Sequence, residues 1–475
     1  MKKRRQLINY EKVEIIDAGA EGVSVAKPSD QVVFIPFGAP GDVVDLEVYK
    51  KKRNYYQGNI LRYHKISEKR TEPVCNHFGL CGGCKWQHLD YKWQLHYKQK
   101  QVKDSLQRIA KVKFSSISPI IGSELEYHYR NKLEFTFSNR KWLTDGAPSG
   151  TKNDSELNGL GFHLPGMFDR ILDIDECHLQ QEPSNAIRLL IKELALKHQL
   201  TFYDVRKHEG LLRNLIIRTA TTGELMVILV VGHEDQRIQD YILPEINKRF
   251  PEITSLMYVI NPKKNDTIND LPVQLFHGKP FITEIMKAPV NGQDDISYQI
   301  GPVSFYQTNP IQAERLYKKT FDLANFRGNE LVFDMYTGTG TIANYIARSV
   351  KKVVGIEYVE KAVEDARQNS VINGIENTEF VAGDLAHILD EVFLNTYGSP
   401  DVVITDPPRA GMHEKVIRQL LNMEAGKIIY ISCNPATQAR DIALLDEKYT
   451  IRSIQPFDMF PQTHHVENVV LLERR

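Results

Sequence analysis

The sequence predicts an α/β protein of several domains, ordered as a small N-terminal β-barrel of OB type, a central α+β region with clustered cysteines, and a C-terminal Rossmann-like sheet. Three observations predict it. Residues 6–66 hold five short strand patterns broken by Gly, Pro and Asp. Four of the five cysteines fall into one close run plus one distant position. From about residue 300 the strands end in a Gly-rich turn, in acids and in an Asp-Pro-Pro step, the punctuation of an open parallel sheet. A chain of 475 residues exceeds one compact core, so two to four domains are expected.

The barrel strands are read at Val13-Glu-Ile-Ile, Gly22 to Ala26, Gln31 to Phe37, Val43 to Tyr49 and Tyr56 to Arg62. Small closed barrels of this kind commonly bind oligonucleotides. Charge agrees with that use. Residues 1–115 carry 22 Lys/Arg against 12 Asp/Glu, a net of +10 hidden by the zero net charge of the whole chain. Aromatic residues are interleaved with the charge, as in Tyr49-Lys-Lys-Lys-Arg-Asn-Tyr-Tyr56. Lys and Arg meet phosphates while rings stack on bases, although a solvated basic face would look the same.

Cys75, Cys81 and Cys84 form a C-x5-C-x2-C run in which Gly82-Gly83 lets the sulfurs converge, and Cys177 lies far along the chain. Four thiolates can hold a [4Fe–4S] cluster or a zinc ion. A zinc ribbon shows two C-x2-C pairs and only one is present, so iron–sulfur is favoured. Leu89 to Ala110 is predicted as one amphipathic helix, apolar at Leu95, Val102, Leu106 and Ile109 and basic on its other face. Residues 127–290 alternate strands and helices without a nucleotide loop, with strands at Tyr129 to Phe137, Leu215 to Thr219 and Leu225 to Val231 and a polar surface loop from Asp145 to Gly159. This region reads as a substrate-holding domain without a catalytic constellation.

The C-terminal part opens with the strand Glu330 to Tyr336, the turn Thr337-Gly-Thr-Gly-Thr341 and the helix Ile342 to Ser349. Further strands end at Glu357, at Asp384 and at Asp406-Pro-Pro-Arg409, with helices at Glu360 to Asn373 and His413 to Met423. A strand pair near Ile451 to Pro456 and Asn468 to Glu473 closes the chain. Glu357, about 20 residues after the Gly-rich turn, is placed to hold ribose hydroxyls. Adenosine without phosphates calls for acids rather than pyrophosphate donors, which points to S-adenosylmethionine. The stretch Lys427 to Pro435 is a buried strand delivering Cys433 at its C-terminal end, before Asn434-Pro435 turn the chain into a helix. A helix N-terminus favours the thiolate, so a lowered pKa and a nucleophilic role are expected for Cys433.

Phe305-Tyr-Gln307-Thr-Asn309-Pro, Asp334-Met-Tyr336-Thr-Gly338-Thr-Gly340, Asp406-Pro-Pro-Arg409-Ala-Gly, Ser432-Cys-Asn-Pro435 and Asp458 to Glu467 together carry a resemblance. With the cysteine run, the chain resembles the RNA 5-methyluridine methyltransferase family (RumA/TrmA type), most of all its 23S ribosomal RNA uracil-5 branch. The resemblance spans nearly the whole chain. It implies a TRAM-like barrel over 1–66, a central domain with an iron–sulfur cluster over 67–295, and a class I methyltransferase domain over 296–475. By the same resemblance Glu467, on the loop before the last strand, is the base. Gln307, Tyr336, Glu357 and Asp406 bind S-adenosylmethionine, with Asp384 a further candidate. Cys75, Cys81, Cys84 and Cys177 then hold a structural [4Fe–4S] cluster. Thr337 departs from the family, which often has Cys there; no loss of function is expected.

The reaction implied is methylation of uridine C5 in 23S ribosomal RNA. Uracil C5 is a poor nucleophile until a thiolate adds at C6, and a base must then remove the C5 proton. The same chemistry on transfer RNA is the alternative within the family. A non-catalytic RNA-binding or ribosome-associated protein is the alternative outside it, disfavoured by the joint presence of Cys433 and Glu467. An iron–sulfur oxidoreductase with a nicotinamide site is disfavoured by the Asp-Pro-Pro strand end. A radical S-adenosylmethionine enzyme would use a C-x3-C-x2-C run. No run of 18 apolar residues appears and no apolar core follows the basic start, so no membrane association and a cytoplasmic location are expected. The protein is expected to act as a monomer.

Overall fold

The computed structural model describes residues 8–143 and 157–475. The basic first residues and most of the loop expected at 145–159 lie outside the described residues. Strands β1 (Ile8–Ala18), β2 (Ser24–Ala26), β3 (Val33–Ile35), β4 (Val43–Lys51) and β5 (Tyr56–Lys65) close into a barrel of order β1-β2-β3-β5-β4. Alternation in β4 explains the closure: Val44, Leu46 and Val48 point inward while Asp45 and Glu47 face out. Ile15, Ala26, Val33 and Ile35 complete the barrel core. β1 bends at register shifts around Val13 and Asp17, as an 11-residue strand in a small barrel must. The barrel is tied to the next segment by buried Asp42, which pairs with Arg70 at 2.8 Å and accepts from the backbone N–H of Ser67 at 2.9 Å.

The central sheet comprises β6 (Lys132–Ser138), β7 (Gly159–Leu164), β8 (Met167–Asp173), β9 (Leu212–Thr219), β10 (Leu225–Val231), β11 (Ser255–Ile260) and β12 (Val273–Gly278). Its order is β12-β11-β10-β9-β6-β7-β8, with only β10 and β11 parallel. All seven residues of β10 are buried, as its unbroken apolar run requires. β9 is buried almost throughout despite Arg213 and Arg218, whose guanidinium groups donate to backbone carbonyls, Arg213 to Asn261 O and Arg218 to Gly301 O. A hairpin of β13 (Ile282–Met286) and β14 (Ile296–Ile300) follows.

The C-terminal sheet is β15 (Leu331–Met335), β16 (Lys352–Glu357), β17 (Thr378–Ala382), β18 (Val402–Thr405), β19 (Lys427–Ser432), β20 (Tyr449–Phe457) and β21 (Glu467–Arg474). Its order is β17-β16-β15-β18-β19-β21-β20, parallel except at β21, which runs antiparallel to both neighbours. Ile228 and Val230 of the central sheet share one core with Tyr298 and Val353, so the two sheets are packed together rather than strung apart. Each such side chain contributes about 1.5–3 kcal/mol.

The helix predicted over Leu89 to Ala110 is α-helical at Tyr91–Ser105 and widens into a π turn at Leu106–Ala110. Its buried face differs from the expected one. Val102 and Leu106 pack into the C-terminal core, but Ile109 is exposed while Gln94, Tyr97 and Lys98 are buried. The apolar spacing missed this because Gln94 and Lys98 meet buried polar partners, Gln462 and Asp458, beside the apolar cluster of Ala39, Trp86 and Leu89 that receives Tyr97.

Candidate active site

Cys433 follows β19 directly and precedes the helix Pro435–Leu445, which Asn434 caps by accepting from the Ala436 N–H at 3.1 Å. The antiparallel pair Ser432↔Asn468 makes the next opposed positions Cys433 and Glu467. Glu467 is the first residue of β21 rather than part of the loop before it, because it still pairs with Phe457 across β20. Gln438 braces this junction: its amide donates to Tyr430 O at 2.9 Å and to Asn468 O at 3.1 Å, and its carbonyl accepts from Asn468 Nδ2 at 2.8 Å. Asp406 ends β18 next door, and the Asp-Pro-Pro-Arg turn is bound to Cys433's turn by Asn434 Nδ2 donating to Arg409 O at 3.0 Å. Arg409 Nη2 lies 3.4 Å from both ring nitrogens of His465.

The electrostatics correct one expectation. The Cys433 thiol is pushed up to about 11, first by burial and then by the Glu467 and Asp406 carboxylates, with Arg409 opposing. The helix N-terminus does not overcome that desolvation. Glu467 is raised well above the usual carboxylate range by burial and by Asp406. Asp406 is raised to about 7, by burial and by Asp334. Burial thus raises a thiol and two carboxyls beside one another at the strand ends.

The Gly-rich turn is tightly packed against its neighbours. Gly340 has φ +72, and a Cβ there would lie 2.9 Å from Ala366 Cβ. Buried Asp334, raised to about 7 by burial, closes the turn from beneath, its Oδ2 accepting from Thr337 Oγ1 at 2.5 Å and Ala343 N–H at 3.0 Å. Glu357 accepts from the Gly338 N–H at 3.1 Å and the Val359 N–H at 2.9 Å, which fixes its carboxylate at the strand end. Tyr336 has φ +62, and burial, followed by the Asp441, Asp384 and Glu357 carboxylates, pushes its phenol up to about 12. Gln307 approaches from the other side, its carbonyl held by Asn131 Nδ2 at 3.0 Å and its side chain against Tyr317. Asp384 is exposed and its carboxylate is engaged in capping, accepting from the Ala386 N–H at 2.9 Å. The acids and glycines suit an adenosine lacking phosphates. Tyr317, buried beside Asp406, Asp334 and Glu467, and the brace Gln438 were not legible in the sequence. Each sits at an ordinary helix position, and only packing shows what it touches.

The four remaining cysteines gather elsewhere. Cys75, Cys81, Cys84 and Cys177 all line one cavity of about 980 Å³, bounded on its far side by Arg130 and the segment Val303 to Tyr306. Burial pushes the Cys84 thiol up to about 12 and that of Cys177 up to about 11. Among the described residues, however, no three His, Cys, Asp or Glu side chains converge closely enough to hold a metal ion. The expected four-thiolate set is brought to one cavity but not closed. Protonated thiols have no mutual attraction, and a four-iron cluster spaces its sulfurs more widely than one ion does. The donor chemistry fits a cluster; the closed geometry is absent.

No helix among the described residues is long and apolar enough to cross a membrane. The family profile for tRNA (uracil-5-)-methyltransferases matches residues 273–475. A protein of Bacteroides thetaiotaomicron described as an uncharacterized RNA methyltransferase is 51% identical, over 96% of this chain and 100% of its own length. A Porphyromonas gingivalis protein described in the same words is 51% identical over 97% of this chain and 99% of its own. Among solved structures, the Pyrococcus abyssi tRNA (uracil-54, C5)-methyltransferase in complex with S-adenosyl-L-homocysteine superposes with a TM-score of 0.73 at 29% identity, covering 97% of this chain and 100% of that one. Full-length similarity of this order places the chain in the RNA 5-methyluridine methyltransferase family, as an S-adenosylmethionine-dependent RNA (uracil-5-)-methyltransferase.

Proposed function

We propose that the enzyme methylates C5 of one uridine in 23S ribosomal RNA, with Cys433 as nucleophile and Glu467 as base. The observation that carries this reading is the opposition of Cys433 and Glu467 across adjoining strand ends, beside Asp406 and Arg409. Glu357, Tyr336, Gln307 and Asp406 bind S-adenosylmethionine, which supplies an electrophilic methyl group on a positive sulfonium. Asp384, engaged in capping, contributes at the rim.

The Cys433 thiolate bonds to uridine C6, and the C5=C6 electron pair moves onto the C4 carbonyl as an enolate. The enolate returns its pair through C5 to the methyl carbon, so that a C5–CH3 bond forms as the methyl–sulfonium bond breaks, its electron pair staying on sulfur and S-adenosylhomocysteine leaving. Glu467 then takes the C5 proton, the C5=C6 bond re-forms, and the C6–S bond breaks to release the thiolate. Arg409 favours the thiolate form, opposing the burial that holds the thiol protonated in the free enzyme. A Glu467 raised by burial is a stronger base once ionised, which suits it to a carbon acid.

The barrel, of TRAM type over residues 1–66, and the basic hairpin tip at Tyr49 to Tyr56 hold RNA. Lys51 lies 5.8 Å from the Tyr56 ring centroid, the pairing of cation and ring that phosphate and base require. Within a central domain spanning 67–295, Cys75, Cys81, Cys84 and Cys177 hold a structural [4Fe–4S] cluster that takes no part in the reaction. The catalytic domain spans 296–475.

Transfer RNA is the second reading, favoured by the tRNA enzyme of Pyrococcus abyssi that the chain resembles over its whole length. Mapping 5-methyluridine in ribosomal and transfer RNA from cells lacking the protein separates the two. Loss of one 23S position with transfer RNA unchanged is expected; the reverse would overturn the ribosomal assignment.

A further inference from the structure

The loop that leads into Glu467 is held in a way the reaction does not itself require. Four successive carbonyls, from Met459 to Gln462, each accept a hydrogen bond from a different part of the chain. Met459 O accepts from Asn309 Nδ2 at 3.1 Å, on the segment that follows Gln307. Phe460 O accepts from Lys98 Nζ at 3.0 Å, on the basic helix. Pro461 O accepts from the Tyr129 hydroxyl at 3.0 Å. Gln462 O accepts from the backbone N–H groups of Lys85 and Trp86, at 2.9 and 3.0 Å, immediately after Cys84.

Two features raise this above ordinary loop packing. Gln462 is buried with φ +68, a left-handed conformation that a glutamine adopts only when its surroundings impose it. Its N–H donates to Gln94 Oε1 and its Oε1 accepts from Gln94 Nε2, both at 2.9 Å, so the two residues form a closed pair. Lys98 and Asp458 are both fully buried and 2.6 Å apart. Such a pair offers little net stability against its desolvation, but it specifies geometry.

Two chain segments that neighbour the cysteines therefore bond to the loop. Lys85 and Trp86 come from the run carrying Cys84. Tyr129 lies between residues whose N–H groups donate to His178 O and Leu179 O, both at 2.8 Å, next to Cys177. We propose that Gln462 is a positioning residue for Glu467, and that through it the order of the cysteine loop sets how well the C5 proton is removed. The proposal rests on Glu467 being the base.

The test uses the full-length enzyme and an RNA substrate with Gln94→Ala and Gln462→Asn. Asparagine tolerates the left-handed backbone and keeps the carbonyl, but is too short to pair with Gln94. The expected result is a kcat lower by roughly 10–100-fold, the scale of a small misplacement of a reacting group, with the RNA KM within about twofold. S-adenosylhomocysteine affinity should be unchanged, and a covalent Cys433–RNA adduct should accumulate on denaturing gels. Normal turnover, or a raised KM without adduct, would overturn the proposal. If either variant fails to fold, the double change Lys98→Met with Asp458→Leu removes both members of the buried pair and is read in the same way.

Hydrogen exchange tests the coupling without any turnover. In Cys84→Ser the amides of 462–467 should exchange faster while those of β15 and β16 stay protected; unchanged exchange at 462–467 would overturn the link. Glu467→Gln separates the two readings. No adduct in that variant refutes the base, whereas an adduct there but none in Gln94→Ala refutes only the positioning role.

Discussion

Cys433 and Cys84 are both partly buried thiols that burial pushes upward, to about 11 and about 12, yet they are held by different means. Cys433 is set by strand register. β19 and β21 are hydrogen-bonded along their length, and Gln438 bolts their ends together, so Cys433 and Glu467 face each other before anything binds. Cys84 sits in a loop whose backbone is tied down at its edges but whose sulfurs only share a cavity wall with the other three. A sheet builds a side-chain pair from backbone geometry alone, whereas the cysteine loop brings its sulfurs to one cavity without converging them.

Removing the proposed nucleophile is the harshest test of the site at the strand ends. Cys433→Ala is expected to lower methyl transfer by roughly 10⁴-fold or more, measured with labelled methyl donor, while leaving S-adenosylhomocysteine affinity intact. Measurable turnover would move the nucleophile elsewhere. Glu467→Gln should reduce turnover by about 10²–10⁴-fold and trap the RNA adduct, because addition proceeds and elimination stalls.

The proposed cluster site is broken differently. Protein purified without oxygen should carry about four irons, and Cys84→Ser should lose them together with several degrees of Tm while keeping S-adenosylhomocysteine binding. Stoichiometric zinc, or loss of cofactor binding along with the metal, would erase the contrast between the two sites.

The smallest effect concerns pH. Asp334 and Asp406 have folded pKa values of about 7 against 3.8 for the free side chain, so the folded state holds their protons more tightly than the unfolded state does. Their contribution is present below pH 4 and is lost as pH rises through about 7. A Tm lower by about 1–3 °C at pH 8 than at pH 5.5 is expected, with Asp334→Asn flattening part of the slope. A Tm that rises over this interval would contradict the burial of these carboxyls.

The barrel and the C-terminal sheet were legible because period-two alternation and strand-end punctuation are local signals. Cys433 was legible for the same reason, since a buried strand followed by Ser-Cys-Asn-Pro announces where its end lies. The pKa direction of Cys433 was not, because it depends on Glu467 and Asp406 arriving from strands distant in sequence. The buried face of the helix Tyr91–Ser105 was also misjudged. Lys98 and Gln94 look like solvent-facing residues until Asp458 and Gln462 are brought against them. Asp384 adds a role that spacing did not suggest: its carboxylate also caps the next helix.

By itself, the sequence determined the order of elements, the strand ends where chemistry gathers and the presence of a clustered cysteine set, since each follows from the periodicity and spacing of neighbouring residues. Only the tertiary structure decided which groups are neighbours in space: Glu467 opposite Cys433, the loop 458–462 suspended from four separate parts of the chain, and the burial that pushes the Cys433 thiol and the Glu467 and Asp406 carboxyls upward. Those depend on long-range register and on desolvation, which no local stretch of residues encodes.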